Sequence, residues 1–112
     1  MNKPVIYYDD RDGCDIFESA EKAGRYIEPI DFKNGSGVFY DSEGRILKAS
    51  IVIDSRGIEN TVVEYNEENN FNKSELKEIL IDLLEYANYS RQELEAMELS
   101  SLVRESLKFK TE

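Results

Sequence analysis

Four aspartates crowd a single glycine near the N-terminus, with Asp9, Asp10, Asp12 and Asp15 placed around Gly13. Alternating carboxylates with a glycine in sixth place are how a calcium loop of the EF-hand kind presents oxygen ligands. Here the register fails. With Gly13 in sixth place the first position is Tyr8 and the twelfth is Ser19, so the opening ligand and the closing bidentate glutamate are both missing. Glu18 falls one residue short, and the cluster reads as a solvated turn. Nucleophilic chemistry would rest on Cys14, the only thiol, or on a serine. The chain has no histidine to act as the ordinary general base, and Asp12 and Asp15 favour the neutral thiol over the thiolate. Cys14 reads as a small buried apolar residue. Gly35-Ser36-Gly37 lacks the lysine and the strand-to-helix setting of a phosphate loop. Twenty-four Asp and Glu residues offer carboxylate pairs everywhere and so mark none for acid–base work. The expectation is a protein that is not an enzyme, with no catalytic residue, no metal site and no cofactor.

What remains is recognition. Against those 24 acidic residues stand 14 basic ones, a formal charge of -10. Such a charge opposes approach to nucleic acid or an anionic membrane and favours basic protein partners. Seven Tyr and five Phe supply the amphipathic contact area that interfaces favour. Two surfaces follow. In the first, adjacent Tyr7 and Tyr8 cannot both face the core of one strand, so one is exposed or lies at an edge. With Tyr8 outward, Tyr8, Asp9, Asp10 and Asp12 form an aromatic and acidic contact patch. In the second, Glu75, Glu78, Asp82 and Glu85 follow helical spacing on the face away from a leucine stripe. Their mutual repulsion is relieved only partly by Lys77. A solvated face is the plain explanation; a basic partner that neutralises the row is the sharper one. The two sets are not expected to share one patch.

The elements that position these residues can be read from the pattern. Asp-x-x-Gly recurs at Asp10–Gly13, Asp41–Gly44 and Asp54–Gly57, each a tight reversal in which the aspartate bonds nearby backbone N–H groups and the glycine accepts a positive φ. Between the last two, Leu47, Ala49, Ile51 and Ile53 alternate with Lys48 and Ser50, which predicts the central strand of a meander. Its neighbours are expected over Val38–Asp41 and Ile58–Tyr65, with a further strand over Val5–Tyr8. A short helix is predicted from Ser19 to Ile27, stopped by Pro29, followed by a loop at Asn34–Gly37.

After the polar stretch Asn66–Asn70 the composition turns helical. Asn72 with Glu75 forms a capping pair, and Leu76, Ile79, Leu80, Leu83, Leu84 and Ala87 make an apolar stripe. Ser90 with Glu93 opens a second helix, and Leu99, Leu102, Val103 and Leu107 mark a third. The fold class is therefore α+β: an antiparallel meander of four to five strands, one N-terminal helix and about three C-terminal helices packed on one sheet face. A chain of 112 residues suits one domain, with residues 1–66 mainly sheet and 72–110 helical. A lone cysteine fits a reducing cytosol, and neither a signal segment nor a membrane span is visible, so a cytoplasmic location is expected.

Small size, acidity, missing catalytic groups and the α+β pattern together resemble the immunity proteins that bacteria pair with secreted or contact-delivered toxins. The segments Tyr8–Phe17, Ala20–Ala23, Tyr26–Asp31 and Tyr40–Arg45 carry that look across about the first half of the chain. The resemblance implies one cognate toxin, commonly a nuclease, blocked at or near its basic active-site region. It carries over no binding residue. Two other readings stand beside it: a regulatory adaptor or chaperone presenting an apolar groove on its C-terminal helices, and a metal-dependent domain built on carboxylates alone.

Overall fold

The turns organise the sheet. In a computed structural model of the chain the described residues are 3–9, 13–27, 37–66, 68 and 70–109. Two of the three Asp-x-x-Gly turns lie wholly within them and close by the same bonds. Asp41 Oδ1 accepts from the N–H of Glu43 (2.9 Å) and of Arg45 (3.0 Å), and Gly44 N–H donates to the Asp41 carbonyl. At the next turn Asp54 Oδ1 accepts from Arg56 (2.8 Å) and Ile58 (3.1 Å), and Gly57 N–H donates to the Asp54 carbonyl. Gly44 (φ 86°) and Gly57 (φ 79°) occupy the left-handed region that the turn requires. Of the first turn, Gly13 has the same backbone sign (φ 83°), while Asp10 and Asp12 lie outside the described residues. So do Pro29 and most of the expected Asn34–Gly37 loop.

The two complete turns differ in setting. Asp54 keeps water access, and the Ile58 and Arg56 amides hold its carboxyl below the usual carboxylate range. Asp41 is fully buried, and its Oδ2 has no partner among the described residues. Asp41→Ala should therefore lower the unfolding free energy by about 1–3 kcal/mol, because two inward amides lose their acceptor and water cannot replace it. Asp54→Ala should have a smaller effect in the same urea titration.

Among the described residues five strands result: β1 (Val5–Asp9), β2 (Gly13–Phe17), β3 (Val38–Tyr40), β4 (Ile46–Ile53) and β5 (Glu59–Tyr65). Their order is β2-β1-β3-β4-β5, every neighbour antiparallel. The expected meander is β3-β4-β5, and β2 is an addition that the acidic turn before it concealed. β1 therefore lies inside the sheet, between β2 and β3. The edge position expected for Tyr7 or Tyr8 does not occur.

Both sheet faces are covered. Val5, Tyr7, Phe17, Phe39, Leu47 and Val63 point toward helix α1 (Ala20–Tyr26) and pack with Ala23 and Ile27. Ile6, Cys14, Ile16 and Tyr40 point the other way and pack with α2 (Lys73–Tyr86), α3 (Arg91–Glu95) and α4 (Leu99–Leu107). The helices are thus divided between two faces rather than gathered on one. The run Val5-Ile6-Tyr7-Tyr8 dictates this, since alternate apolar residues need cover on both sides.

Ser19 caps α1 by accepting from Lys22 N–H, and α1 touches β5, β2 and β1, reaching toward both ends of the sheet. Gly24 permits that approach: a Cβ there would stand 2.4 Å from the Thr61 carbonyl oxygen. α1 is short, and cover runs out along β4. Leu47 is buried, Ala49 and Ile51 are half-buried, and Ile53, expected on the same inward face, is 64% exposed.

The C-terminal helices spend their leucines on the core. Leu76, Ile79, Leu80, Ile81, Leu84, Leu94, Leu102 and Val103 are all buried in one cluster with the sheet. Ser90 stands at the N-cap of α3 but makes no side-chain cap bond, so the second predicted capping box is not formed. Among the described residues no helix is long and apolar enough to cross a membrane.

Candidate binding surface

The outer face of α2 turns on residues beyond its own C-terminus. The chain leaves the helix through Asn88, whose positive φ (73°) belongs to a region asparagine tolerates, and then begins α3 at Arg91. This reversal lays the Arg91 guanidinium over the carboxylates of α2. Its Nη2 donates to Glu78 Oε2 (2.9 Å), its Nη1 to Asp82 Oδ1 (3.1 Å) and Glu85 Oε2 (2.9 Å), and its Nε to Glu95 Oε1 (3.0 Å). Every guanidinium nitrogen is engaged. The carboxylates, Glu85 foremost and then Asp82 and Glu78, push the Arg91 pKa further above its already high value, so the group stays cationic.

The row of like charges thus has an internal counter-ion. The sharper sequence reading, in which a basic partner relieves the repulsion of the row, is therefore not required for Glu78, Asp82 and Glu85, which Arg91 already bridges. Four carboxylates around one guanidinium nevertheless leave the surface net negative. The side chains are well solvated, so the bonds order the surface more than they stabilise the fold. Arg91→Ala should lower Tm at low ionic strength and have a much smaller effect near 1 M salt, where the screening length shrinks from roughly 10 Å to about 3 Å. Equal loss at both salt levels would mean that Arg91 acts through packing.

Glu75, the first member of the expected row, has another task. Its Oε1 accepts from the buried Tyr40 hydroxyl (2.6 Å), its Oε2 from Asn72 Nδ2 (2.7 Å), and its N–H donates to Asn72 Oδ1 (3.1 Å). Burial first, and then the bond to Glu75, push the Tyr40 hydroxyl well above its ordinary value, which keeps it a donor. Asn72 thus caps α2 and pairs with Glu75 through side chains, while its own N–H donates to the Gly44 carbonyl, so the reciprocal backbone bond of a full capping box is not made. Glu75 remains exposed at the surface, but its carboxylate is committed to Tyr40 and Asn72.

The first-turn set divides as well. Asp9 is 2% exposed and its Oδ2 accepts from the Tyr7 hydroxyl (3.3 Å), so it is an interior group. Tyr8 is half-buried against the C-terminal helices. Asp10 and Asp12 lie outside the described residues. The aromatic and acidic patch sought there occurs instead on α2, where Tyr86 is 91% exposed beside Glu85 and one helical turn after Asp82. A signal for it was present: Tyr86 falls off the leucine stripe by helical spacing. Arg91 and Glu95 were missed because the turn that folds α3 back onto α2 is invisible to periodicity.

Among the described residues no group of three or more His, Cys, Asp or Glu side chains is arranged to hold a metal ion. Comparison with known proteins adds no relative: no family model, no curated protein and no solved structure matches this chain.

Proposed function

We propose that the chain is a non-enzymatic binding protein of the immunity kind, which sets its acidic α2–α3 surface against the basic active-site region of a cognate toxin and occludes it. The observation that carries this reading is the fully exposed ring of Tyr86 beside carboxylates held in place by Arg91. An exposed tyrosine adds contact area with few rotamers to freeze, and fixed carboxylates lose little freedom on docking. A nuclease cleft that holds phosphate is basic, and a protein of charge -10 is steered toward it. The place of action in this reading is the cytoplasm.

The test begins with capture of the partner by tagged protein at low and high salt, identified by mass spectrometry, and its activity assayed with and without this chain. Combined Glu78→Lys, Asp82→Lys and Glu85→Lys should slow association by about 10- to 1,000-fold, as loss of steering does. Tyr86→Ala should act chiefly on dissociation. Affinity that changes neither with salt nor with the charge reversal would defeat the reading.

A further inference from the structure

Beside the C-terminal helices the sheet continues bare. Lys48, Ser50 and Val52 on β4 stand directly opposite Glu64, Val62 and Asn60 on β5, and alternation puts all six side chains on the face that carries Ile6, Tyr40 and Ile46. α2, α3 and α4 cover that face as far as Ile46. Beyond it Ser50 is half-buried and the other five are exposed, Val52 by 49% and Val62 by 37%. Branched apolar side chains in the open on a sheet invite a second layer.

The six side chains make a pattern of bumps and hollows. Val52 and Val62 occupy one diagonal of the ladder, roughly 7 Å apart along the strands and about 5 Å across them. The other diagonal holds Ser50, which is small, and Asn60, whose Nδ2 donates to the Ile58 carbonyl (3.1 Å) and to Asp54 Oδ2 (3.4 Å) and so is drawn toward the turn. A half-turn about the strand direction exchanges the two columns. In a face-to-face pair related in this way, β4 of one copy lies over β5 of the other. Val52 then falls on the hollow at Asn60, Val62 falls on the hollow at Ser50, and the four valines interlock. Lys48 falls on Glu64. Among the described residues neither of these two makes an ion pair within its own chain.

We propose that this face of the β4–β5 hairpin docks a second copy of the chain, as a two-fold pair in which each β4 lies over β5 of the other copy. Charge and shape select this occupant. The whole chain carries -10, yet the charges on this face and its turn, Lys48 and Arg56 against Asp54 and Glu64, cancel, while Glu59 points to the opposite face with Ile53. Self-association is therefore not opposed here by like charge, and neither a basic nor an acidic stranger gains by steering. A stranger would have to match both the diagonal of valines and the order of charges. A second copy matches both by symmetry. Aligned sheets cross at about 30°, and three rungs are few enough to stay in step across that angle. The contact is only two strands wide, so the pair exchanges readily with free chains. No residue of the α2–α3 surface takes part, and the pairing does not depend on the function proposed for that surface.

Sedimentation equilibrium of the full chain tests the pairing. The mean mass should rise from that of one chain toward that of two between about 10 µM and 1 mM, the range of a small interface. The double variant Val52→Lys with Val62→Lys should keep the parent's circular dichroism, since both side chains are exposed, and should remain a single chain throughout. Lys48→Glu sets two glutamates against each other at both symmetry-related contacts, and Glu64→Lys sets two lysines; each variant should dimerise about tenfold more weakly than the parent. Mixed in equal amounts the two should pair with one another about as well as the parent does, because every contact again joins Lys to Glu. A single-chain mass at every concentration overturns the proposal. So does a dimer that survives the double valine substitution, since another surface then holds it. A mixture that pairs no better than its components overturns the assigned two-fold, in which β4 faces β5.

Discussion

Leu80→Ala should unfold far more readily in urea, with a loss of about 2–5 kcal/mol, the usual range for a large aliphatic side chain removed from a closed core. Leu80 has no exposed surface and belongs to the cluster in which α2, α3 and α4 meet Ile6, Ile16 and Tyr40. The loss has two parts: the transfer of the removed methyl groups, and the cavity left where helices and sheet both hold their places. A domain of this size is stable by only about 5–15 kcal/mol, so one substitution removes a large share. Leu83→Ala, on the same helix but only partly buried, should cost much less. Equal losses at the two positions would show that burial does not rank these side chains.

The second large effect concerns a residue with no side chain. Gly24→Val should destabilise by at least about 1–3 kcal/mol, the cost of forcing extra atoms into a filled contact. The obstacle is the Thr61 backbone oxygen at 2.4 Å, which cannot rotate away as a flexible side chain would. Either α1 lifts from the sheet or β5 shifts with its ladder. Gly57→Ala makes a useful comparison, because a Cβ there meets nothing and only the left-handed backbone (φ 79°) opposes it, worth about 1–2 kcal/mol. If Gly24→Val melts no lower than Gly57→Ala, α1 does not press on β5 as described.

Much of this fold was legible because its signals are local. At Asp41–Gly44 and Asp54–Gly57 the Asp-x-x-Gly spacing marked hairpin turns down to their bonding pattern, and the β4 alternation marked a strand of the right length. Ser19 and Asn72 marked two helix starts that their side chains do cap. What stayed hidden depends on contacts between distant segments. β2 is five residues, Gly13–Phe17, in which Asp15 breaks the apolar run, and it is a strand because β1 pairs along its whole length. Ile81 lies beside the predicted stripe and is buried nonetheless, because α3 and α4 widen the covered arc of α2. The candidate surface suffered most. Asp9 belongs to the interior through Tyr7, Glu75 to the capping of α2 through Tyr40 and Asn72, and Arg91 reaches back across a turn that no periodicity describes.

The strand order also governs how the chain assembles. Three of the four sheet contacts join strands adjacent in sequence, and each can form as a hairpin within microseconds. The pairing of β1 with β3 is different: it closes over all of β2 and α1, with no turn to set its register. Loop-closure entropy opposes it, and side chains must choose the alignment, chief among them Tyr7 and Phe39, which lie opposite one another with ring centroids 4.6 Å apart. That seam is where topology predicts the slow step, because the N-terminal hairpin and the meander can each form locally while their union, with α1 on β5 and the C-terminal helices spanning Ile6, Ile16 and Tyr40, must wait for distant segments to meet.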